Sequence, residues 1–172
     1  MKNLILIRHS KSSWEIPLKD IDRPLSKRGI YDAHFIANKI KDLVPKSFLV
    51  WSSIAKRTKE TALIFSQNLS FSEENITLKD DLYTFDAEVL EKIIKKCENK
   101  YDNLIIFGHN EAFTKFVNKF GNLLIENVPT SGVVFLELNI KEWKNLKKGK
   151  TLSTVFPSHY KHEQYKSKQI HR

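Results

Sequence analysis

Two short apolar runs in this chain each end abruptly on a histidine. Residues 4–7, Leu-Ile-Leu-Ile, lead into Arg8-His9, and residues 104–107, Leu-Ile-Ile-Phe, lead into Gly108-His109-Asn110. An unbroken apolar run of this length fits a strand covered on both faces rather than one with a wet side. Such strands belong to sheets with helices packed above and below, which narrows the fold to a few α/β architectures. A third run, Phe48-Leu49-Val50-Trp51, ends on Ser52-Ser53.

The segments between these runs carry helical patterns. Ser26 is placed as an N-cap, and the spacing predicts a helix to about residue 43 with Ile30, Ala33, Ala37 and Ile40 along its inner side. Pro45 stops it. Residues 55–69 read as a second helix. Asp86 caps a third to about Cys97, with Val89, Leu90, Ile93 and Ile94 facing inward, and residues 111–120 form a fourth. Pro17 and Pro24 mark residues 12–26 as a loop, and residues 75–83 hold a short strand and a turn. Residues 132–139 and 151–156 read as late strands lying side by side across a lysine-rich connection. Strands alternating with helices give an α/β domain with a largely parallel sheet. With no internal repeat and no interdomain linker, residues 1–157 are expected to form one domain. Residues 158–172, polar and basic, are expected to be a surface tail.

Composition excludes several classes. At 172 residues, 41% hydrophobic and 28% charged, the chain can bury a real core and is not a disordered one. No apolar run approaches the length that crosses a bilayer. A single cysteine, Cys97, allows no internal disulfide, so the cytoplasm is the default expectation. The net charge of +9 favours anionic partners. No zinc-finger spacing or aromatic-basic repeat points to nucleic acid, and no Gly-x-Gly-x-x-Gly follows the first strand, which disfavours a dinucleotide site.

In open α/β sheets, ligands bind beyond the carboxyl ends of the strands. Arg8 and His9 stand at one such end, His109 at another, and Arg57 lies in the first turns of the helix after a third. Guanidiniums present fixed forks of donors that match phosphate oxygens. A helix N-terminus after Gly108 adds backbone N–H groups, and glycine lets that backbone approach closely. A neutral histidine in such a site can attack phosphorus while the positive groups stabilise the transition state. No metal is required.

The blocks LIRHSKSSW, DRPLSKRG, SSIAKRTKETA and FGHNEAF together resemble the histidine phosphatase superfamily, and the DRPLSKRG block is most similar to its SixA-type phosphohistidine phosphatases. The likeness spans roughly residues 3–140. It implies a three-layer α/β/α sandwich with a mostly parallel central sheet, the phosphoglycerate-mutase-like fold. It implies His9 as the nucleophile that carries a transient phosphohistidine, with Arg8 and Arg57 clamping the phosphate. His109 would donate to the transferring phosphoryl group, with Asn110 beside it at the helix start as a further phosphate-binding residue. Asp20 matches an acidic position of the SixA type and is the candidate for proton transfer. The chain also departs from the family pattern. Ser10 stands where the common motif has glycine, Glu15 where the mutase and broad phosphatase branches carry asparagine, and Leu82-Tyr83-Thr84 offers no general acid at the place those branches use.

The expected activity is therefore a metal- and cofactor-independent phosphatase acting on phosphohistidine of a protein, such as a phosphorelay or phosphotransfer carrier. Phosphatase action on small phosphate esters, or non-catalytic phosphoprotein binding, are the rival readings. A monomer is the default oligomeric state. Several residues carry ordinary structural readings as well. Arg57 alone reads as a helix-surface residue paired to Glu60 or Glu74, and Asp20 and Asp22 as turn residues that orient Arg23 and the Ser26 cap. Asp80-Asp81 reads as a turn, and Ser131 as either a turn residue or part of the pocket rim. His159 and His162 belong to the tail, and Trp14 and Trp143 are candidate exposed contacts.

Overall fold

A computed structural model of the chain describes residues 1–161 and Glu163. The elements run β1 (Lys2–Arg8), α1 (Lys27–Ile40), β2 (Leu49–Ser53), α2 (Lys56–Leu69), β3 (Ile76–Lys79), α3 (Ala87–Lys95), β4 (Asn103–Gly108), α4 (Ala112–Phe120), β5 (Val133–Leu138) and β6 (Lys150–Val155). The strands form one sheet in the order β3-β2-β4-β1-β5-β6. β1, β2, β3 and β4 are mutually parallel where they pair. β5 runs antiparallel to β1, and β6 antiparallel to β5. The sheet is thus mixed, with the expected parallel part at its centre.

Side chains on a strand alternate between faces, and the two central apolar runs divide accordingly. Leu4, Leu6, Leu104 and Ile106 pack with Leu90, Ile94, Phe113 and Phe116 of α3 and α4. Ile5, Ile7, Ile105 and Phe107 pack with Ala33, Ile36, Ile40, Ala62 and Phe65 of α1 and α2. This two-sided burial makes the α/β/α sandwich, and it explains why both runs are apolar without alternation. Lys2 is buried at the start of β1, where its Nζ donates to the carbonyls of Asn99 and Tyr101 and pairs with Asp102 at 2.9 Å.

Local signals placed the helix starts well. The Ser26 hydroxyl accepts from the Gly29 N–H, and the Asp86 carboxylate accepts from the Glu88 N–H. Gly29 brings the first turn of α1 against the Lys11 carbonyl, where a Cβ would collide with backbone. Three expectations need correction. α1 ends at Ile40, followed by a turn at residues 41–43. Ile30 and Val89 are exposed rather than inward, because each falls at the margin of its helix's buried stripe. Trp143 is fully buried and donates its Nε1–H to the Tyr101 carbonyl, whereas Trp14 is exposed.

Part of the tail is ordered against the domain. Pro157–Tyr160 forms a 3-10 turn that sets Tyr160 edge-on to Phe35, and Lys39 of α1 pairs with Glu163. His162 and residues 164–172 lie outside the described residues. Among the described residues no helix is long and apolar enough to cross a membrane.

Candidate active site

The site is built where β1 and β4 end side by side. Arg8 stands opposite Gly108 in the parallel register, so the next residue on each strand is a histidine. The rings of His9 and His109 lie 5.2 Å apart between centroids. The backbone around His9 is held on several sides. Its N–H donates to the Gly108 carbonyl, its carbonyl accepts from the Ser131 N–H, and the Ser10 N–H donates to Thr61 Oγ1 of α2. Ser131 adopts a left-handed conformation with φ 64° and is fully buried, its hydroxyl paired with that of Ser10. It is buried beside Ser10 rather than exposed at the rim.

His9 Nδ1 lies 2.7 Å from the Ser10 carbonyl, which accepts only a proton-bearing nitrogen. Nδ1 therefore carries the hydrogen, and Nε2 keeps its lone pair. The Arg57 Nε–H points at that Nε2 from 3.3 Å. Burial is the main force on the ring's charge, joined by Arg57, Arg8 and Arg23 and opposed by the Ser10 carbonyl. Together they push the pKa of His9 down to about 3. Burial, then His9 and Arg57, push His109 down to about 2 against the attraction of Asp20. Both imidazoles are neutral at physiological pH.

Arg57 is 2% exposed and faces the site, not Glu60 or Glu74. Glu60 instead accepts from the Leu25 N–H. Arg57 donates to the Asp20 carbonyl at 2.7 Å and to the Asp20 carboxylate at 3.0 Å. The other carboxylate oxygen of Asp20 pairs with Arg23 at 3.0 Å, and the Tyr83 hydroxyl donates to the oxygen that Arg57 holds. Desolvation pulls Asp20 upward, but the bonds from Tyr83, Arg23 and Arg57 outweigh it and hold the carboxyl far below its ordinary range. Asp20 is thus a fixed carboxylate and has no proton to give at neutral pH. Arg8 donates to the Val128 carbonyl at 2.8 Å. The Nε atoms of Arg8 and Arg23 are buried without a partner among the described residues.

The Asn110 side chain is engaged at the start of α4. Its Oδ1 accepts from the Thr114 N–H and hydroxyl, and its Nδ2 donates to Asn127, so the side chain caps α4. Gly108 has a packing role as well. A Cβ there would press 2.7 Å from the Phe113 ring, so glycine is needed to seat α4 on the sheet. Glu15 is exposed on the loop.

Four residues that sequence reasoning did not place in the site belong to it. Arg23 stacks its guanidinium 3.6 Å from the centre of the Trp14 ring. Tyr83 and Phe85 set their rings 5.3 and 5.5 Å from His109. Ser53 Oγ lies 2.8 Å from His109 Nε2. The spacing of Ser53 four residues before Arg57 was the available signal, since one strand-to-helix turn delivers both. Among the described residues no cluster of three or more histidine, cysteine or acidic side chains is placed to hold a metal ion.

Comparison with known proteins agrees with this geometry. Residues 4–114 match the family model of the histidine phosphatase superfamily (branch 1). An uncharacterized chloroplastic protein of Arabidopsis thaliana is 30% identical over 152 residues, which cover 83% of this chain and 69% of that protein. The protein histidine phosphatase SixA complexed with tungstate superposes with a TM-score of 0.78 at 16% identity, covering 92% of this chain and 99% of the other. A structure provisionally assigned as SixA from Agrobacterium tumefaciens gives a TM-score of 0.73 at 22% identity, covering 91% of this chain and 98% of the other. These likenesses establish the fold, and with the family match they support a phosphatase. The chain, with both of its site histidines inside the matched region, belongs to the histidine phosphatase superfamily, branch 1.

Proposed function

We propose that this protein hydrolyses phosphohistidine on a protein through a covalent intermediate on His9. The observation that carries the reading is the state of Asp20. It is the carboxyl group that bridges Arg57 and Arg23, and it is held ionised by Tyr83, Arg23 and Arg57. A site without a protonated carboxyl gives little help to an alkoxide leaving group, which needs a proton as it departs. A phosphorylated imidazole has less need. Its second ring nitrogen takes a proton from solvent before the P–N bond breaks, so the ring leaves neutral.

In the first step, His9 Nε2 attacks phosphorus in line. The new N–P bond forms as the substrate P–N bond breaks, and the substrate histidine departs with its electron pair. Arg8, Arg57 and His109 hold the equatorial oxygens, where charge collects in the transition state. In the second step, water attacks the phosphorus, the bond to His9 Nε2 breaks, and inorganic phosphate leaves with a proton from the water returned to solvent. The unpartnered Nε donors of Arg8 and Arg23 suit an incoming anion. The rim suits a protein. Trp14 is 78% exposed beside Arg23, and Phe85 is 53% exposed beside His109. Exposed aromatics at the mouth of a site favour a macromolecular surface over a small polar ester.

The test is hydrolysis in chelator of a histidine phosphocarrier protein, phosphorylated with phosphoramidate, beside an aryl phosphate. Wild type is expected to clear the phosphoprotein faster, and His9→Ala to clear neither while keeping its fold. Turnover of the ester alone would assign the site to small substrates. No turnover of either by wild type would leave phosphoprotein binding as the function.

A further inference from the structure

We infer that Ser53 is a positioning residue that fixes His109 in the tautomer protonated at Nδ1, so that His109 and Arg57 aim two N–H groups at one phosphoryl oxygen. The inference rests on the phosphoryl-transfer reading for its purpose, but its geometry stands apart from the substrate.

Ser53 ends β2 and is fully buried. Its hydroxyl oxygen accepts from the Ala55 N–H at 3.3 Å and lies 2.8 Å from His109 Nε2. A hydroxyl has one hydrogen to give, and a buried donor requires an acceptor. Among the described residues, the acceptor within its reach is His109 Nε2. The Thr58 hydroxyl, also fully buried, lies 3.5 Å from the same nitrogen, too far to decide the tautomer. The neighbouring Ser52 does not compete, since its hydroxyl donates to the Ser53 carbonyl. Were Nε2 protonated, the Ser53 hydrogen would be left buried and unpaired beside another N–H. The short Ser53 contact, with no other acceptor for that hydroxyl among the described residues, calls for a lone pair on Nε2.

A neutral imidazole carries one hydrogen, and burial keeps His109 neutral. With Nε2 accepting, that hydrogen sits on Nδ1. Nδ1 lies 3.5 Å from Arg57 Nη2, too far for a good bond. Nη2 has two hydrogens and spends one on the Asp20 carboxylate. The second and the Nδ1–H are therefore two donors side by side, which share an acceptor rather than bond each other. A phosphoryl oxygen on its way to His9 is such an acceptor. The opposite tautomer would turn the only N–H of His109 away from Arg57 and toward Ser53, leaving the ring nothing to offer the oxygen.

The experiment is long-range proton–nitrogen NMR on protein labelled with nitrogen-15 histidine, with His109 assigned by its loss in His109→Asn. Wild type at pH 7 is expected to carry the His109 proton on Nδ1, both free and with vanadate. Ser53→Ala is expected to shift the ring to the Nε2–H form or a mixture. Its vanadate affinity is expected to fall about 10- to 100-fold, the scale of losing one aligned donor to a phosphoryl oxygen. A wild-type Nε2–H tautomer overturns the inference, as does Ser53→Ala with unchanged tautomer and vanadate affinity. Should Ser53→Ala not fold, the wild-type spectrum decides alone. Wild type that shows Nδ1–H but turns over no phosphate supports the tautomer and sinks the phosphatase reading.

Discussion

Burial of two neutral histidines at one site makes the stability of this protein fall steeply in mild acid. His9 and His109 titrate at about 3 and about 2 in the folded chain, against 6.5 for an ordinary histidine. Between those values the unfolded chain binds protons that the folded chain refuses. By linkage, stability then rises with pH, so it is full above pH 6.5 and is lost as pH falls below it. Each group contributes about 1.4 kcal/mol per pH unit. From pH 6.5 to 4.5 the pair therefore removes about 5 kcal/mol, a large share of the roughly 5–15 kcal/mol that holds a domain folded. Asp20 acts in a lower window. Its carboxyl is held down, so its contribution is lost only as pH falls below the ordinary carboxylate range. Urea unfolding across this pH range in non-phosphate buffer measures the effect. With an m-value of about 2 kcal/mol/M, the midpoint is expected to drop by about 2 M or more. The doubly substituted His9→Asn, His109→Asn protein is expected to lose most of that slope, which separates the site from the rest of the surface. A wild-type midpoint that moves by less than about 0.5 M, or a double variant with the wild-type slope, would refute the claim that both rings are buried uncharged.

Two further outcomes probe the clamp. Arg57→Ala removes a buried guanidinium that faces His9, His109 and Asp20. It is expected to weaken vanadate binding about 100-fold or more by calorimetry, and unchanged affinity would show that Arg57 is not a phosphate ligand. Asp20→Asn removes a negative charge beside the site while keeping its shape. Inorganic phosphate is expected to inhibit about 3- to 10-fold more tightly, with kcat on the phosphoprotein reduced less than about 10-fold. A kcat loss of about 100-fold or more, the scale of general acid–base catalysis, would restore Asp20 as a proton-transfer group.

Much of this arrangement was legible because it is local. The apolar runs that became β1, β2 and β4, the caps at Ser26 and Asp86, and the histidines at strand ends all follow from a few adjacent residues. What sequence left open depends on distant parts of the chain meeting. Tyr83 reaches Asp20 from 63 residues away, and Ser53 reaches His109 from 56. No periodicity encodes those meetings. They depend on the sheet order, which sets β2 between β3 and β4. Ile30 was misplaced for a related reason. Helical spacing gives the angle around α1 but not the width of the surface it covers, and Ile30 sits just beyond that edge, lining a shallow groove with Ile16 and Leu18. Trp143 was misjudged because a tryptophan in a short lysine-rich connection gives no period to read. Its burial comes from Tyr101 and Asn99 at the start of β4's side of the sheet.

The apolar runs do more than bury strands, because their ends set the site. β1 and β4 are parallel neighbours, so their carboxyl ends point the same way, and Leu4 pairs with Leu104 through to Arg8 with Gly108. Each run is therefore cut at the same level of the sheet, and the residue beyond each cut is a histidine. A slip of two residues between these strands would keep every apolar side chain on its proper face. It would also part the two imidazoles by a further ~7 Å along the strands, beyond the reach of one phosphoryl group. Alternation alone thus leaves that slip open, and other contacts must select against it. Asn3 bonds Asn103 side chain to side chain at the lower end of the pair. A side-chain polar pair is lost on a slip, whereas greasy contacts and backbone hydrogen bonds are merely exchanged. The register that brings the two histidines together is thus favoured by the polar pair that flanks the runs.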